Sequence, residues 1–156
     1  MARDPKPPSA SFTEMTQHVL LQHANSIGTA FGGTILAWVD ICGSITAQRH
    51  AGPEAVTARV DTLEFLLPIR IGDIVRLTGT VNAAFRTSME IAVRVEREDA
   101  RTGERTLCVS SQLTFVHLGE DGRPAEVPPL LLDTEESKER DAAARARREA
   151  RRQTKN

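Results

Sequence analysis

The segment from residue 32 to residue 48 constrains this chain most, because it reads as a helix that is apolar on nearly every side. Projected at about 100° per residue, the bulky Ile35, Trp38 and Cys42 share one side of that helix. Asp40 lies on the other side among mostly small residues, namely Gly33, Leu36, Ala37, Gly43, Ser44 and Ala47. Since a helix with so little polar surface is normally buried, the sequence predicts a central helix covered by other elements.

Asp40 is a charged residue in the middle of this helix, and a buried charge is unfavourable unless it is paired or used. One interpretation is structural: the carboxylate is capped, ion-paired or placed at a subunit interface. The other is catalytic: the carboxylate faces a cleft where its small neighbours leave room for a ligand. The small neighbours favour the catalytic interpretation.

Downstream of the helix, the pattern changes to the two-residue period of β-strands. Gly52 and Pro53 end the helix, and Val56, Ala58 and Val60 of the next strand are expected on an apolar face. The predicted strands, after a first one inside residues 12–22, cover residues 56–65, 74–85, 89–96 and 107–115. Strands that follow one another as hairpins prefer an antiparallel sheet. One face of that sheet needs a cover, which only the long helix can supply, so the predicted fold class is α+β. The uncovered side of the helix then requires a second copy of the chain, which predicts at least a homodimer.

The length of 156 residues fits one domain with two appendages. We expect a disordered, Pro-rich arm over residues 1–12, the main domain over 13–130, and a charged, solvated helix or tail over 131–156 with Thr134 as its cap. No apolar run reaches about 18 residues and no secretory pattern is visible, so a cytoplasmic protein without a membrane anchor is expected. The net charge of −1 divides into +3 for residues 135–156 and −4 for the rest, which does not favour a nucleic-acid partner.

The cysteines and histidines carry no recognisable metal-binding pattern. Cys42 and Cys108 are interpreted as packing residues, and the four histidines lack the spacing of metal ligands. We therefore expect neither a metal nor a cofactor.

Several motifs, taken in order, resemble the acyl-CoA hydrolases (thioesterases) of the hotdog superfamily. The run ANSIGTAFGGTILAWVD at residues 24–40 carries most of the resemblance. Similar motifs follow: RVDTLEFLLP at 59–68, IGDIV at 71–75, RTSM at 86–89 and EDGRP at 120–124. The resemblance implies a hotdog fold, with a curved antiparallel sheet wrapped around a long central helix. It also implies hydrolysis of acyl-CoA to a fatty acid and coenzyme A, in dimers that often assemble as trimers of dimers.

The resemblance assigns catalytic roles to residues of the first motif. Asp40 falls at the catalytic acid position, as general base or as nucleophile, and Asn25 falls at the partner position on the loop before the helix. The N–H groups of Gly32 and Gly33, at the helix start, suit the oxyanion of a thioester under attack. The residues alone also allow a turn role for Asn25 and a tight turn at the two glycines. In the hotdog dimer such groups commonly meet from opposite chains.

The phosphates of coenzyme A suggest a second set of residues. Arg86, with the hydroxyls of Thr87 and Ser88, is a candidate for phosphate contacts, although the same residues also suit an ordinary hairpin turn. Arg59 is a weaker candidate, because an acid across the sheet is an alternative partner for it.

Two alternatives remain open at this stage. A non-catalytic acyl-CoA sensor or scaffold shares the fold and the ligand but lacks turnover. A hotdog acyl-thioester dehydratase usually needs a catalytic histidine, for which only His23 is near the site motif.

Overall fold

The fold is a five-stranded antiparallel sheet around one long helix. A computed structural model describes residues 3–155. The elements are β1 (Thr13–His18), α1 (Gly32–Ala51), β2 (Ala55–Phe65), β3 (Ile74–Ala84), β4 (Ser88–Glu98), β5 (Arg105–His117) and α2 (Glu135–Gln153). The strand order is β1-β3-β4-β5-β2, so β1 and β2 form the two edges. The predicted α+β architecture is confirmed.

Helix α1 packs against the inner face of the sheet, chiefly on β3 and β4. The core combines its buried side with inward residues of the strands, among them Ile35, Val39, Leu77, Ile91 and Phe115. The closest approach is at Gly79, where a Cβ atom would lie only 2.2 Å from the Thr46 hydroxyl. Only glycine therefore lets the helix lie this close to the sheet.

Strand β2 departs from its predicted packing. Val56 and Val60 are 44% and 42% exposed, although the alternation placed them on an apolar face, and Phe65 at the end of the strand is 53% exposed. The reason is that β2 is an edge strand whose pairing with β5 shifts register twice, between Thr57 and Arg59 and between Val60 and Thr62. The strand therefore leaves an unpaired backbone edge and apolar side chains at the surface of a single chain.

The side of α1 that the sheet does not cover is also apolar. Leu36 and Ile41 are 37% and 48% exposed on this side. Exposed apolar side chains on both the helix and the edge strand β2 form a surface that suits a second copy of the chain.

Where the structure describes it, the amino-terminal arm contacts the segment that follows β5 and the end of α1. The backbone of Lys6 donates to Pro129 and accepts from Leu131, and the Lys6 ammonium group donates to the carbonyl of His50 at the end of α1. Ser11 is fully buried. These contacts compensate for the polar composition of the arm. Met1 and Ala2 of the predicted arm lie outside the described residues.

Helix α2 is capped as expected but is not solvated on all sides. The Thr134 hydroxyl accepts a hydrogen bond from the Ser137 amide. Ser137, Asp141 and Ala144 are buried against the outer face of the sheet. Alanine lets the helix lie close to the strands, so few large apolar residues are needed. No helix within residues 3–155 is long and apolar enough to cross a membrane.

Candidate active site

Asp40 lies half-buried at the middle of α1, at the border between the covered and uncovered sides of the helix. The hydroxyl of Thr57 on β2 donates a hydrogen bond to the Asp40 carboxylate over 2.6 Å. This contact joins the central helix to the edge strand and fixes the direction of the carboxylate. The second carboxylate oxygen makes no hydrogen bond within residues 3–155, so it is available to a water molecule or a substrate.

The amino terminus of α1 presents unpaired donors. Helix α1 has no side-chain cap at Phe31, and the first amides that find a partner are those of Thr34 and Ile35, both bonded to the Phe31 carbonyl. Within residues 3–155 the N–H groups of Gly32 and Gly33 have no acceptor. Such N–H groups, at the positive end of the helix dipole, favour a developing oxyanion.

The two glycines differ in what surrounds them. A Cβ atom at Gly33 would lie 2.6 Å from the ring of Phe31, whereas one at Gly32 would lie 3.7 Å from Phe65. The Phe31 ring thus occupies the space that a side chain at Gly33 needs.

These donors and Asp40 cannot act on one substrate within a single chain. Gly33 and Asp40 are separated by about 10 Å along the helix axis, at roughly 1.5 Å per residue. A carbonyl under attack needs its oxygen about 3 Å from the donors and its carbon near the attacking group. The arrangement therefore suits a site that takes its oxyanion donors from one chain and its carboxylate from another.

Asn25 closes the loop before α1 rather than contacting Asp40 in the same chain. Its side-chain oxygen accepts hydrogen bonds from the amides of Ile27 and Thr29, and its side-chain nitrogen donates to the Thr29 hydroxyl over 2.7 Å. The turn role that the residue type allows is therefore present. The amide nitrogen has a second hydrogen for another acceptor, so the turn role leaves a substrate contact open.

An apolar cavity of about 300 Å³ lies beside the start of α1. It is lined by Thr29, Ala30, Ile35 and the segment 65–69. Its walls are suited to an acyl chain or another apolar group adjoining the glycine donors.

The residues expected to contact phosphate are divided between two surface hollows on either side of Phe85. Arg86 lines one hollow together with Arg3 and Arg145. Ser88 lines the other together with Arg59. Thr87 borders neither, and its carbonyl accepts from the His117 amide. The Arg59 guanidinium pairs with Asp61 over 2.7 Å. Asp61 lies two residues away on the same strand β2, not across the sheet as the predicted alternative had it.

The remaining candidates for a nucleophile or a base, which are the two cysteines and His23, are engaged in packing contacts. Burial raises the pKa of the Cys42 thiol to about 12, and burial also raises the pKa of Cys108. The His23 ring packs edge-on against Trp38, and its Nδ1 accepts from the Leu20 amide. Within residues 3–155 no group of three or more His, Cys, Asp or Glu is arranged to hold a metal ion.

Sequence reasoning missed Thr57. The two-residue period did separate Thr57 from Val56 and Val60, but it did not show which side faces the helix. No sequence signal marks Thr57, because its contact with Asp40 is set by how β2 packs on α1.

Known proteins resemble this chain closely in sequence. The model of the thioesterase superfamily matches residues 27–104. An acyl-CoA thioester hydrolase of Bacillus subtilis is 41% identical over 121 residues, which cover 78% of this chain and 70% of the relative. The chain spans only 26% of the length of an acetyl-coenzyme A thioesterase of Rattus norvegicus that it also matches.

Solved structures match over nearly the whole chain. A hexameric acyl-CoA thioesterase superposes with a TM-score of 0.92 at 40% identity, covering 97% of both chains. An acyl-CoA hydrolase of Staphylococcus aureus, solved with butyryl coenzyme A and coenzyme A, gives a TM-score of 0.90 at 35% identity and covers 96% of this chain and 92% of its own. Variants of the S. aureus enzyme with an aspartate, an asparagine or a threonine changed to alanine also match.

Proposed function

The chain belongs to the thioesterase superfamily and is an acyl-CoA thioester hydrolase, and we propose that Asp40 is the carboxylate that drives its reaction. The observation that carries the proposal is the hydrogen bond between Thr57 and Asp40. It holds a half-buried carboxylate in one direction and leaves its second oxygen available to a reactant.

Two reaction courses fit this carboxylate. As a general base, Asp40 takes a proton from water, and the oxygen of that water forms a bond to the thioester carbonyl carbon. The C–S bond then breaks, and the coenzyme A sulfur leaves and takes the proton from Asp40. As a nucleophile, the Asp40 carboxylate instead bonds to the carbonyl carbon, the C–S bond breaks, and an acyl anhydride and the coenzyme A thiolate are formed. Water then hydrolyses the anhydride, which restores the Asp40 carboxylate, and the proton that this releases is taken up by the thiolate. In both courses the N–H groups of Gly32 and Gly33 stabilise the oxyanion.

The spacing of the altered residues in the S. aureus enzyme supports these roles. The substituted asparagine and aspartate there are 15 positions apart, as are Asn25 and Asp40. The substituted threonine follows the aspartate by 17 positions, as Thr57 follows Asp40. These shared intervals support Asn25, Asp40 and Thr57 as one functional set.

The complete site takes residues from two chains. The separation of Gly33 and Asp40 along α1, and the loop contacts of Asn25, support this arrangement. The edge strand β2 and the exposed side of α1 supply the surface for a dimer, and the hexameric relatives support a trimer of dimers.

Release of free thiol from a series of acyl-CoA substrates tests the proposal. Asp40→Ala and Asp40→Asn are expected to lower kcat by about 100-fold to 10,000-fold, the range for loss of a general base. Asp133→Asn changes an exposed aspartate outside the site and serves as the control. Equal turnover by the parent and both Asp40 variants, with the fold intact by circular dichroism, would contradict the role of Asp40.

The rival functions have their own readouts. If the parent binds acyl-CoA without turnover above background, and Asp40→Asn binds it equally, the chain is a sensor or scaffold. If the parent adds water to an enoyl-CoA faster than it releases thiol, and His23→Ala abolishes that addition, it is a dehydratase. The contacts of His23 with Trp38 and Leu20 do not favour the latter. The cytoplasmic location stays a prediction.

A further inference from the structure

The last two turns of α2 present cations toward the outer face of the sheet, opposite to the face that holds α1 and Asp40. Asp141 and Ala144 mark the packed side of α2 by their burial. Arg148 and Arg151 continue that side at helical spacing. The helix thus directs positive charge toward its own protein, at a place where apolar residues normally join a helix to a sheet.

A groove of about 250 Å³ lies between these cations and the strands. On the side of the sheet it is lined by Arg59, Ser88 and Thr114, and Phe85 also borders it. The cationic side chains that line the groove come from both β2 and α2: Arg59, Arg148, Arg151, Arg152 and Lys155. Positive charge from two elements therefore meets in one concave site.

Negative charge in this region is too small to balance the cations. Asp61 pairs with Arg59 over 2.7 Å and lies 3.8 Å from Arg151. In the part of the chain that the structure describes, neither Arg148 nor Arg152 has a carboxylate within 4 Å. Burial lowers the pKa of Arg148, and the neighbouring Arg152 and Arg151 lower it further. Cations that repel one another destabilise a folded chain, and an anion bound between them removes this cost.

The Phe85 ring holds part of this charge in place. The Arg148 guanidinium lies over the ring, 4.0 Å from its centre, and that of Arg145 lies 5.2 Å from it. A guanidinium that stacks on a ring keeps its N–H donors in its own plane, so these donors stay available to an acceptor. The groove is therefore organised for an anion before the anion binds.

The size and the donors of the groove favour a compact phosphate-bearing anion. Its volume of about 250 Å³ is below the range of about 300–1,000 Å³ that is typical of sites for larger organic ligands. An inorganic diphosphate ion brings about three negative charges at neutral pH in a small volume. Guanidinium groups pair with phosphate oxygens in bidentate fashion, and the hydroxyl of Ser88 supplies a further donor.

Strand β2 connects this groove to Asp40. Arg59 and Asp61 form their ion pair on the outer side of β2, whereas Thr57 of the same strand donates to Asp40 on the inner side. The pairing of β2 with β5 shifts register immediately before Arg59 and again at Asp61, so the ladder is interrupted on both sides of the ion pair. An anion that takes Arg59 from Asp61 therefore acts on an irregular segment that positions Thr57.

We propose that this groove is a regulatory site for a compact polyphosphate anion, whose binding draws Arg59 from Asp61 and lowers turnover at Asp40. In one state Arg59 pairs with Asp61 and Thr57 orients Asp40. In the other, Arg59 pairs with the anion and Thr57 is displaced, so the anion favours the less active state. The regulatory part of the inference rests on the proposed function, whereas binding of the anion does not.

Calorimetric titration with inorganic diphosphate, at constant ionic strength, tests the site without turnover. The parent is expected to bind diphosphate at least tenfold more tightly than Arg148→Ala/Arg152→Ala, and its Tm should rise with diphosphate concentration. Lys138→Ala/Arg140→Ala removes two cations of α2 that pair with carboxylates of the same helix, and this control should bind like the parent. Equal binding by the parent and the groove variant, or an altered oligomer of that variant by size-exclusion chromatography, would overturn the site.

Titration with ADP distinguishes a compact anion from a nucleotide. ADP carries the same diphosphate on a nucleoside that exceeds the groove, so the groove should bind ADP more weakly than diphosphate. Tighter binding of ADP that is lost in Arg148→Ala/Arg152→Ala would make the groove a nucleotide site and overturn the assignment.

Steady-state thiol release separates regulation from competition with the substrate. Saturating diphosphate is expected to lower kcat of the parent about fivefold with KM unchanged. Arg148→Ala/Arg152→Ala should keep the parental kcat with or without diphosphate, and Thr57→Val, which lacks the hydrogen bond to Asp40, should no longer respond. A higher KM at constant kcat, or an unchanged kcat when diphosphate is bound, would overturn the regulatory role. If diphosphate binds as expected but the parent releases no thiol, the proposed function fails and the anion site stands.

Discussion

Thr57 and Asp40 are joined by a 2.6 Å hydrogen bond that connects the edge strand β2 to the centre of α1. The hydroxyl oxygen donates its only hydrogen to the carboxylate, so the bond orients Asp40 without neutralising it. Because β2 also faces the expected partner chain, the position of the carboxylate depends on how the two chains meet.

Loss of the Thr57 hydroxyl should impair turnover more than binding. Thr57→Val keeps the shape of the side chain but cannot donate, and kcat is expected to fall about 10-fold to 100-fold, the range for a hydrogen bond to a charged group. Thr57→Ser restores the donor and should recover most of the activity. The measurement is kcat and KM for thiol release. A Thr57→Val protein that equals the parent would show that Asp40 needs no such positioning.

Two inactive variants should restore activity when they share an oligomer. If the site combines Asn25 of one chain with Asp40 of the other, a mixed dimer of Asn25→Ala and Asp40→Ala carries one intact site and one doubly altered site. Mixed dimers isolated through both tags then hold about half of the parental number of intact sites. The measurement is thiol release by the co-expressed variants, purified by a different tag on each chain.

The control for this experiment is each variant assembled only with itself, which should stay inactive. If Asn25 and Asp40 of the same chain formed the site, no assembly of the two variants would contain an intact site. Co-purified mixed dimers without activity would then contradict the two-chain arrangement.

The sequence predicted the elements whose pattern is long and regular. The buried row of Met89, Ile91, Val93 and Val95 follows the two-residue period of β4 over its whole length. Helix α1 begins at the predicted Gly32 and extends only three residues beyond the predicted end at Gln48. In such elements the periodicity of apolar residues agrees with their burial, so the sequence pattern alone is sufficient to predict which residues face the core.

The sequence pattern did not predict the burial or the role of residues whose surroundings are set by segments far away in the chain. Glu90 reads as a solvent-facing residue of β4, yet it is 1% exposed because α2 covers that face of the sheet. Thr57 has no distinguishing motif, since its role arises from facing Asp40 across the fold. Both depend on contacts between residues far apart in sequence, which a periodic pattern does not encode.

Removal of Arg147 should loosen α2 from the sheet. The Arg147 guanidinium bonds both carboxylate oxygens of Glu90, over 2.5 and 3.2 Å, and the Asn82 amide donates to Glu90 over 2.9 Å. Arg147→Ala leaves a buried carboxylate short of its main partner, so the free energy of unfolding is expected to fall by about 3 kcal/mol. The measurement is denaturant unfolding of the parent and the variant at pH 7.

A second substitution separates the ion pair from simple packing. In Arg147→Ala/Glu90→Gln the buried charge is absent, so about half of the lost stability or more should return. Lys138→Ala removes an exposed ion pair on the same helix and should change the free energy of unfolding by less than about 1 kcal/mol. Equal stability of Arg147→Ala and the parent would mean that α2 is not held by this pair.

His50 should make the fold sensitive to mild acid. The ring is fully buried at the end of α1, and its Nε2 lies 2.8 Å from the Pro128 carbonyl. Since a carbonyl only accepts, Nε2 carries the hydrogen, and Nδ1 has no partner within residues 3–155. Burial, together with the nearby Lys6 and Arg3, lowers the pKa of His50 below its usual range despite the Pro128 contact.

The sign of the pH effect follows from this lowered pKa. Between pH 6.5 and the lower pKa of the folded chain, the unfolded chain takes up a proton at His50 while the folded chain does not. Stability therefore falls as the pH falls through this range, with a slope of at most about 1.4 kcal/mol per pH unit. At higher pH both states are neutral at this residue, and its contribution is constant. The measurement is the free energy of unfolding from pH 7.5 to 5. His50→Gln should lose this part of the slope, whereas His18→Gln, at an exposed histidine, should keep it. If the parent and His50→Gln have the same slope, His50 does not govern the response, because only a group whose protonation differs between the folded and unfolded states contributes to that slope.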